Sequence, residues 1–419
     1  MKSTPLAWCS QKFAAATPFL THPLTVFGLY VILVVASAIA KMVPNNYLIY
    51  KYSFWHLVNG EHMYTFHPDE YGDLHHYGPV FAVLMAPFAL LPDWAGVVLW
   101  HLALAVFLYW AIRQTRFSWR EQLFLYWFCA HELLTALFMS QINIAIAGMI
   151  LLSYCYIRQG RERWSAFFIA LATLIKLFGI VGLAFFFFSK NKKQFLLWLA
   201  VWLAVLFVLP MLIGGPEYVL SQYQEWYVAI ADKNTSSLLS SHQNISLLGM
   251  IRKIGYAFSI GGHDAYMAMF REETPIDTAN FWYCYSDRWL ILAGLLLFAL
   301  PYLRFGQWHN ERFRRMFLAS ALMFLCLFST STESSGYIIG IIGVVLWYAS
   351  VPWRRNRWDL ALLIFVFVLT SLSPSDLFPA YLRYNWVWPF SLKALPVALC
   401  WFQLIVEMLI RDYNYRGIR

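Results

Sequence analysis

Charge is scarce in this chain. Asp, Glu, Lys and Arg make up 13% of its 419 residues, against about 25% in an ordinary soluble domain. Apolar residues fill the gap at 60%, with a mean hydropathy of +0.55. That balance excludes a soluble enzyme, a disordered chain and a disulfide scaffold. The six cysteines (9, 129, 155, 284, 326 and 400) lie mostly in apolar segments without ligand-like spacing, so they read as small apolar residues. There is no Gly-rich phosphate loop. No small-residue cleavage site follows the first apolar run near Leu24, which argues against a cleavable signal. Acidic residues are outnumbered, 22 against 31 basic, for a net charge of +9. In a soluble protein that surplus would suggest nucleic acid; here it reports topology, and no nucleic-acid partner is expected.

What is present is apolar sequence in helix-length pieces, enough for about ten crossings at roughly 20 residues each. Spans are predicted at 24–42, 94–112, 121–138, 142–158, 194–213, 287–303, 316–331, 336–350, 358–373 and 390–410. Segments 79–92, 164–175 and 178–189 are too short to span comfortably. Charge bias favours reading 79–92 as re-entrant and 164–189 as a hairpin with Lys176 at its tip. The cytoplasmic side then holds 21 of the 31 cations and only 6 of the 22 carboxylates. Letting each of those two regions cross once moves 113–120 and 158–163 outside and erases the bias. The expectation is therefore an all-α, polytopic membrane protein forming one domain over 1–419. Both termini are cytoplasmic and two long outer loops occupy 43–78 and 214–286. No cytoplasmic connection is long enough for a nucleotide-binding domain, so an ATP-driven pump would need its motor from a partner.

The first outer loop carries an aromatic stretch at 47–58 that suits an interfacial helix. After it come Glu61, His62, His67, Asp69, Glu70, Asp73, His75 and His76. A carboxylate here can deprotonate an acceptor hydroxyl or hold a divalent metal. His67, Asp69 and Asp73 are of ligand type, whereas adjacent His75 and His76 cannot easily face one ion. Because the spacing matches no recognised site, no cofactor is expected, with a divalent metal as the alternative. Lys176, in the apolar run ALATLIKLFGIVG, would bind a phosphate as a point charge or pair with Glu132 or Glu333. Gln141 and Asn143 lie in a tight outer turn, Glu333 lies in another, and His131 and Glu132 sit below; together with Lys176 they suggest one polar chamber. The second loop predicts a helix with Tyr218, Leu220, Tyr223 and Trp226 on its apolar side. It then offers His242, Gln243 and Asn244 as hydrogen-bonding groups and Arg252 and Lys253 as phosphate contacts, the alternative being headgroup contacts or solvated surface.

These residues resemble glycosyltransferase family 87, membrane enzymes of the GT-C fold that use polyprenyl-phosphate sugars. The likeness runs over roughly 24–350, through NGEHMY, HYGPVFAVLMAPFALLP, SQINIAIAGMILL, ALATLIKLFGIVGLAFFFF and HQNISLLG in that order. The resemblance implies inverting transfer of a sugar, a mannose-like hexose or arabinofuranose, from a lipid-phosphate donor to a lipid or glycan acceptor. That would occur on the outer face of the inner membrane, with a first-loop carboxylate as base. The chain departs from the family pattern at Asn45-Asn46, where many members carry an Asp. An amide cannot act as a base. Either Asp69, Glu70 or Asp73 takes over, or the activity is altered or lost. The competing classes are a transporter or flippase of a lipid-linked or anionic solute, and an inactive scaffold of the same fold.

Overall fold

A computed structural model describes residues 17–40, 43–271 and 274–414, leaving Cys9 and the cations Lys2, Lys12, Lys41, Arg416 and Arg419 outside. Among the described residues the chain is helical throughout, with no strand. Apolar side chains dictate this. Each long helix has too little polar surface to stand in water, and its backbone groups are satisfied within the helix itself.

Three helices are long and apolar enough to cross a membrane alone: Pro23–Ala40, Asp93–Gln114 and Lys192–Gly214. The other expected spans are shorter or broken. Residues 121–138 form two helices, Trp119–Phe128 and Ala130–Phe138, separated at Cys129. Arg288–Ala299 tightens into a 3₁₀ turn at Pro301, and Arg357–Phe365 widens into a π-helical turn over 366–372. Lys192–Gly214 has only 11% of its apolar window buried within the protein, so its surface is left for an apolar solvent.

Ion pairs gather one end of the bundle. Arg158 lies 2.7 Å from Glu311, and Arg315 bridges Glu121 at 2.9 Å and Glu311 at 3.4 Å. Arg355 meets Glu407 at 2.7 Å. These contacts bring the connections at 113–120, 158–163 and 304–315 to the same end, the placement the hairpin arrangement expects. The hairpin itself is visible. Glu162 at its start accepts hydrogen bonds from Ser189 Oγ and Asn191 N at its close, both at 3.1 Å. One arm is the helix Glu162–Ile175 and the other a 3₁₀ segment, Leu177–Phe188, with Lys176 extended between them. The arms touch because Gly179 has no side chain; a Cβ there would lie 2.2 Å from Thr173 N. At the opposite, polar end, Gly78 N donates to the Ile175 carbonyl at 3.0 Å. Helix Pro79–Ala89 begins at this level and its exit returns to it, where Asp93 pairs with Lys51 at 2.5 Å.

Both loop helices form as the pattern indicated. Asn45–Asn59 ends on Gly60 in the left-handed region, φ 73°, a conformation glycine adopts without strain. Pro216–Ser236 buries Val219, Gln222 and Trp226, with Tyr218 and Tyr223 packed beside them. Leu220 is exposed instead, because the contact stripe runs along 219, 222 and 226. Of the described cysteines, 129, 155, 326 and 400 are buried and free and 284 is exposed.

Candidate functional site

The tip of the hairpin, the turn 139–143, the turn 328–336 and the helix Pro216–Ser236 converge at the polar end. Asn143 Oδ1 accepts from Lys176 Nζ at 3.2 Å. Gln141 joins the next links: its Nε2 donates to Glu333 Oε2 at 3.0 Å, and its Oε1 faces the hydroxyls of Tyr77 and Tyr50 at 3.3 and 3.5 Å. Glu333 Oε1 accepts from Lys233 Nζ at 3.2 Å. Lys176, Gln141, Asn143 and Glu333 of the expected chamber are thus linked, whereas His131 lines a cavity beside them and Glu132 is drawn into a buried pair with Lys393. Lys176 makes neither of the ion pairs considered for it, because Glu132 is paired with Lys393 at 2.9 Å and Glu333 with Lys233. Its ammonium rests instead over the Phe178 ring at 4.4 Å.

Two cavities open beside this network. One, of about 770 Å³, is lined by Tyr64, Asp73, His76, Glu225, Lys233 and Gln243 among others. The second, of about 730 Å³, is lined by Asn46, Asp73, His131, His242, Gln243, Glu333, Asp376 and Trp388 among others. Asp73 and Gln243 line both. The backbone sets Asp73 there. Asn45 Oδ1 accepts from Gly72 N at 2.7 Å, and Asn46 Nδ2 donates to the Met139 carbonyl at 2.8 Å. The two amides of the departure thus tie the loop down and leave the adjacent Asp73 exposed at the junction. Asp69 and Glu70 line neither cavity, and Glu70 is held by His56 Nε2 at 2.7 Å.

Other expected contacts find different roles. Arg252, 1% exposed, pairs with Asp287 at 2.8 Å and donates to the carbonyls of Trp282, Tyr283 and Tyr285. It fastens segment 282–287 and faces neither cavity. Lys253 is fully buried, with Nζ on the Gln243 and Asn244 carbonyls and 2.7 Å from Ser391 Oγ. Burial pushes its pKa down to about 7. Asn244 takes a left-handed turn, φ 51°, and is enclosed as well. Spacing alone could not distinguish these inward donors from a surface phosphate contact. His242 and Gln243 do reach the cavities, His242 edge-on to Trp388 at 5.4 Å.

His75 and His76 are both held neutral. Burial is the main cause, and for His76 the neighbouring Lys233 adds to it; each pKa is pushed down to about 3. Neither histidine joins the ligand set considered for a metal. His67 approaches His56 and Glu70 rather than Asp69 and Asp73. Sequence reading missed Lys233, Asp376 and Trp388. Lys233 was legible as a cation in the last turn of a loop helix, but the apolar pattern that drew attention to that helix fades before residue 233. Asp376 and Trp388 lie between two expected spans, at 374–389, in a connection without a recognisable motif.

Residues 75–330 match the family model described as Glycosyltransferase family 87. No curated protein matches the chain.

Proposed function

The chain belongs to glycosyltransferase family 87, and on that premise we propose that it transfers a sugar from a polyprenyl-phosphate donor to a lipid or glycan acceptor. The fold is taken as GT-C type with about ten spanning segments. The polar end faces outward from the inner membrane and both termini are cytoplasmic, as the cation bias favours. An outward-facing transferase has little access to nucleotide sugars, so a lipid-borne donor suits the site. The sugar is a mannose-like hexose or arabinofuranose.

One observation carries the reading: an exposed carboxylate, Asp73, lines two neighbouring cavities, and Lys233 stands on the wall of one of them. One cavity holds the donor sugar and the other the acceptor. Asp73 takes the proton from the acceptor hydroxyl as its oxygen attacks the anomeric carbon. The bond from that carbon to the phosphate oxygen breaks on the opposite face, so the configuration inverts and the lipid phosphate departs. Lys233 and Lys176 offset its charge as it leaves. Glu333 positions the Lys233 ammonium and Asn143 that of Lys176, with Gln141 bonded to Glu333, and His242 and Gln243 offer hydrogen bonds to sugar hydroxyls. The roles first considered for Arg252, Lys253 and Asn244 pass to structural support, because the Arg252 Nη atoms, Lys253 Nζ and Asn244 Oδ1 are already engaged.

The test is incubation of purified protein with a panel of polyprenyl-phosphate sugars and a mixed glycan and lipid acceptor extract. Release of free polyprenyl phosphate together with sugar-labelled product is expected from at least one donor. Absence of release from every donor would shift the reading to a transporter or an inactive scaffold.

A further inference from the structure

The first loop folds back on the aromatic helix that precedes it, and the fold-back closes on three side chains with no part in the transfer step. His56 projects from the helix Asn45–Asn59 with its ring 1% exposed; His67 and Glu70 come from the loop. One donor atom from each lies within 4.8 Å of the other two. His56 Nε2 is 2.7 Å from Glu70 Oε2, and His67 Nδ1 is 4.0 Å from the same oxygen. Glu61 Oε2 stands 3.6 Å from His56 Nε2. The two imidazoles face each other at 4.2 Å with a 30° tilt.

Hydrogen bonding sets the tautomer of His67. Its Nε2 lies 2.8 Å from the His62 carbonyl, which only accepts, so Nε2 carries the proton. In the neutral ring Nδ1 then turns a lone pair towards the Glu70 carboxylate oxygen 4.0 Å away, an opposition that a cation between them relieves. A histidine whose far nitrogen donates to a carbonyl is the usual outer support of a metal-bound imidazole. Ligand atoms about 2.0–2.2 Å from a tetrahedral zinc stand roughly 3.3–3.6 Å apart. The separations here, 2.7, 3.6 and 4.0 Å, straddle that value.

We propose that His56 Nε2, His67 Nδ1 and Glu70 Oε2 form a site for one borderline divalent cation of the zinc class, completed by half-exposed Glu61 or by water. Two imidazoles and a carboxylate suit zinc better than magnesium or calcium, which prefer oxygen alone. The ion acts as a clip. It fixes the loop to the helix, a junction that Tyr218 Oη also ties by donating to the His56 and Glu61 carbonyls. Asp73 follows Glu70 by one turn of chain, so the clip sets the register of the proposed base. That consequence rests on the proposed function; the site itself does not.

The test uses full-length protein without a histidine tag, stripped with chelator and titrated with Zn²⁺ against a chromophoric competitor in detergent. One ion per chain is expected, with a rise in thermal midpoint that excess Mg²⁺ does not reproduce. Separately, His67→Gln and Glu70→Gln should each weaken zinc binding by at least about 100-fold, the upper end of what losing a mere outer support costs. His263→Gln, in a histidine–aspartate pair elsewhere on the surface, should leave it unchanged. Substoichiometric zinc, or zinc binding that His67→Gln and Glu70→Gln leave intact, overturns the proposal. The melting curve of each metal-free variant shows whether it folds. The two readings fail separately: zinc binding without Asp73-dependent transfer sinks the base and keeps the site, and the reverse sinks the site and keeps the base.

Discussion

Replacing Lys393 by Met tests how the polar end is held in place. Lys393 and Glu132 are 3% and 0% exposed and 2.9 Å apart. Lys393 Nζ also donates to the Ser334 carbonyl and hydroxyl at 2.9 and 3.0 Å, which anchors the turn that carries Glu333. Methionine fills most of the lysine's volume but leaves Glu132 buried without its cation, and Glu132 Oε2 already has no hydrogen-bond partner. Breaking a buried pair from one side costs about 3–5 kcal/mol. Glu132→Leu should cost somewhat less, because Lys393 retains the two Ser334 acceptors. The double variant removes both charges together, so it should lose much less than the sum, with a coupling of about 2–3 kcal/mol. Unfolding in mixed micelles, read by tryptophan fluorescence across the four proteins, measures the cycle. Single losses under about 1 kcal/mol, or additive losses, would refute the claim that this pair stabilises the chamber.

Lys233→Met frees Glu333 from its cation, and it should slow sugar transfer while raising the apparent KM for donor, as steady-state kinetics would show; unchanged kinetics would remove Lys233 from the phosphate site. His76 gives a pH signature. Its folded pKa lies below the ordinary value of about 6.5, so the unfolded chain binds the extra proton, and the associated stability is full above about pH 6.5 and lost as pH falls towards 3. Thermal midpoints between pH 6.5 and 5, above the main carboxylate range, should therefore decline less in His76→Asn than in the parent. For topology, single cysteines at exposed Arg120 and Arg161 in a background lacking native cysteines should resist outside-only thiol reagents, while one at Leu74 reacts. Reaction at all three would restore the single-crossing arrangement, and reaction at 120 and 161 with Leu74 protected would reverse the orientation.

Much of the fold is legible in the sequence because apolar run length and charge placement act over whole segments. The hairpin around Lys176 is expected from the cation balance, and the ion pairs of Arg158 and Arg315 place its basic flank beside 304–315. Breaks within helices were not legible. Cys129 carries no proline or glycine signal, and the π turn after Phe365 follows from packing in which Thr370 Oγ1 reaches the Lys393 carbonyl. In the site, Gln141, Asn143, Lys176 and Glu333 could be grouped because each is a polar exception at the same helical level. Choosing among Asp69, Glu70 and Asp73 needed three-dimensional facts: the Asn45–Gly72 bond and the capture of Glu70 by His56. Lys253 misled for a related reason. A buried lysine satisfied by carbonyls has the same sequence appearance as one that awaits a phosphate.

The most direct measurement of the central claim compares turnover and donor affinity in Asp73→Asn, Asp69→Asn and Glu70→Gln with the parent protein. The account predicts that Asp73→Asn lowers kcat by about 10²–10⁴-fold, the usual contribution of a general base, with donor Kd nearly unchanged. Asp69→Asn should stay close to the parent, and Glu70→Gln should fall between as the loop loosens. Full turnover in Asp73→Asn would contradict the account.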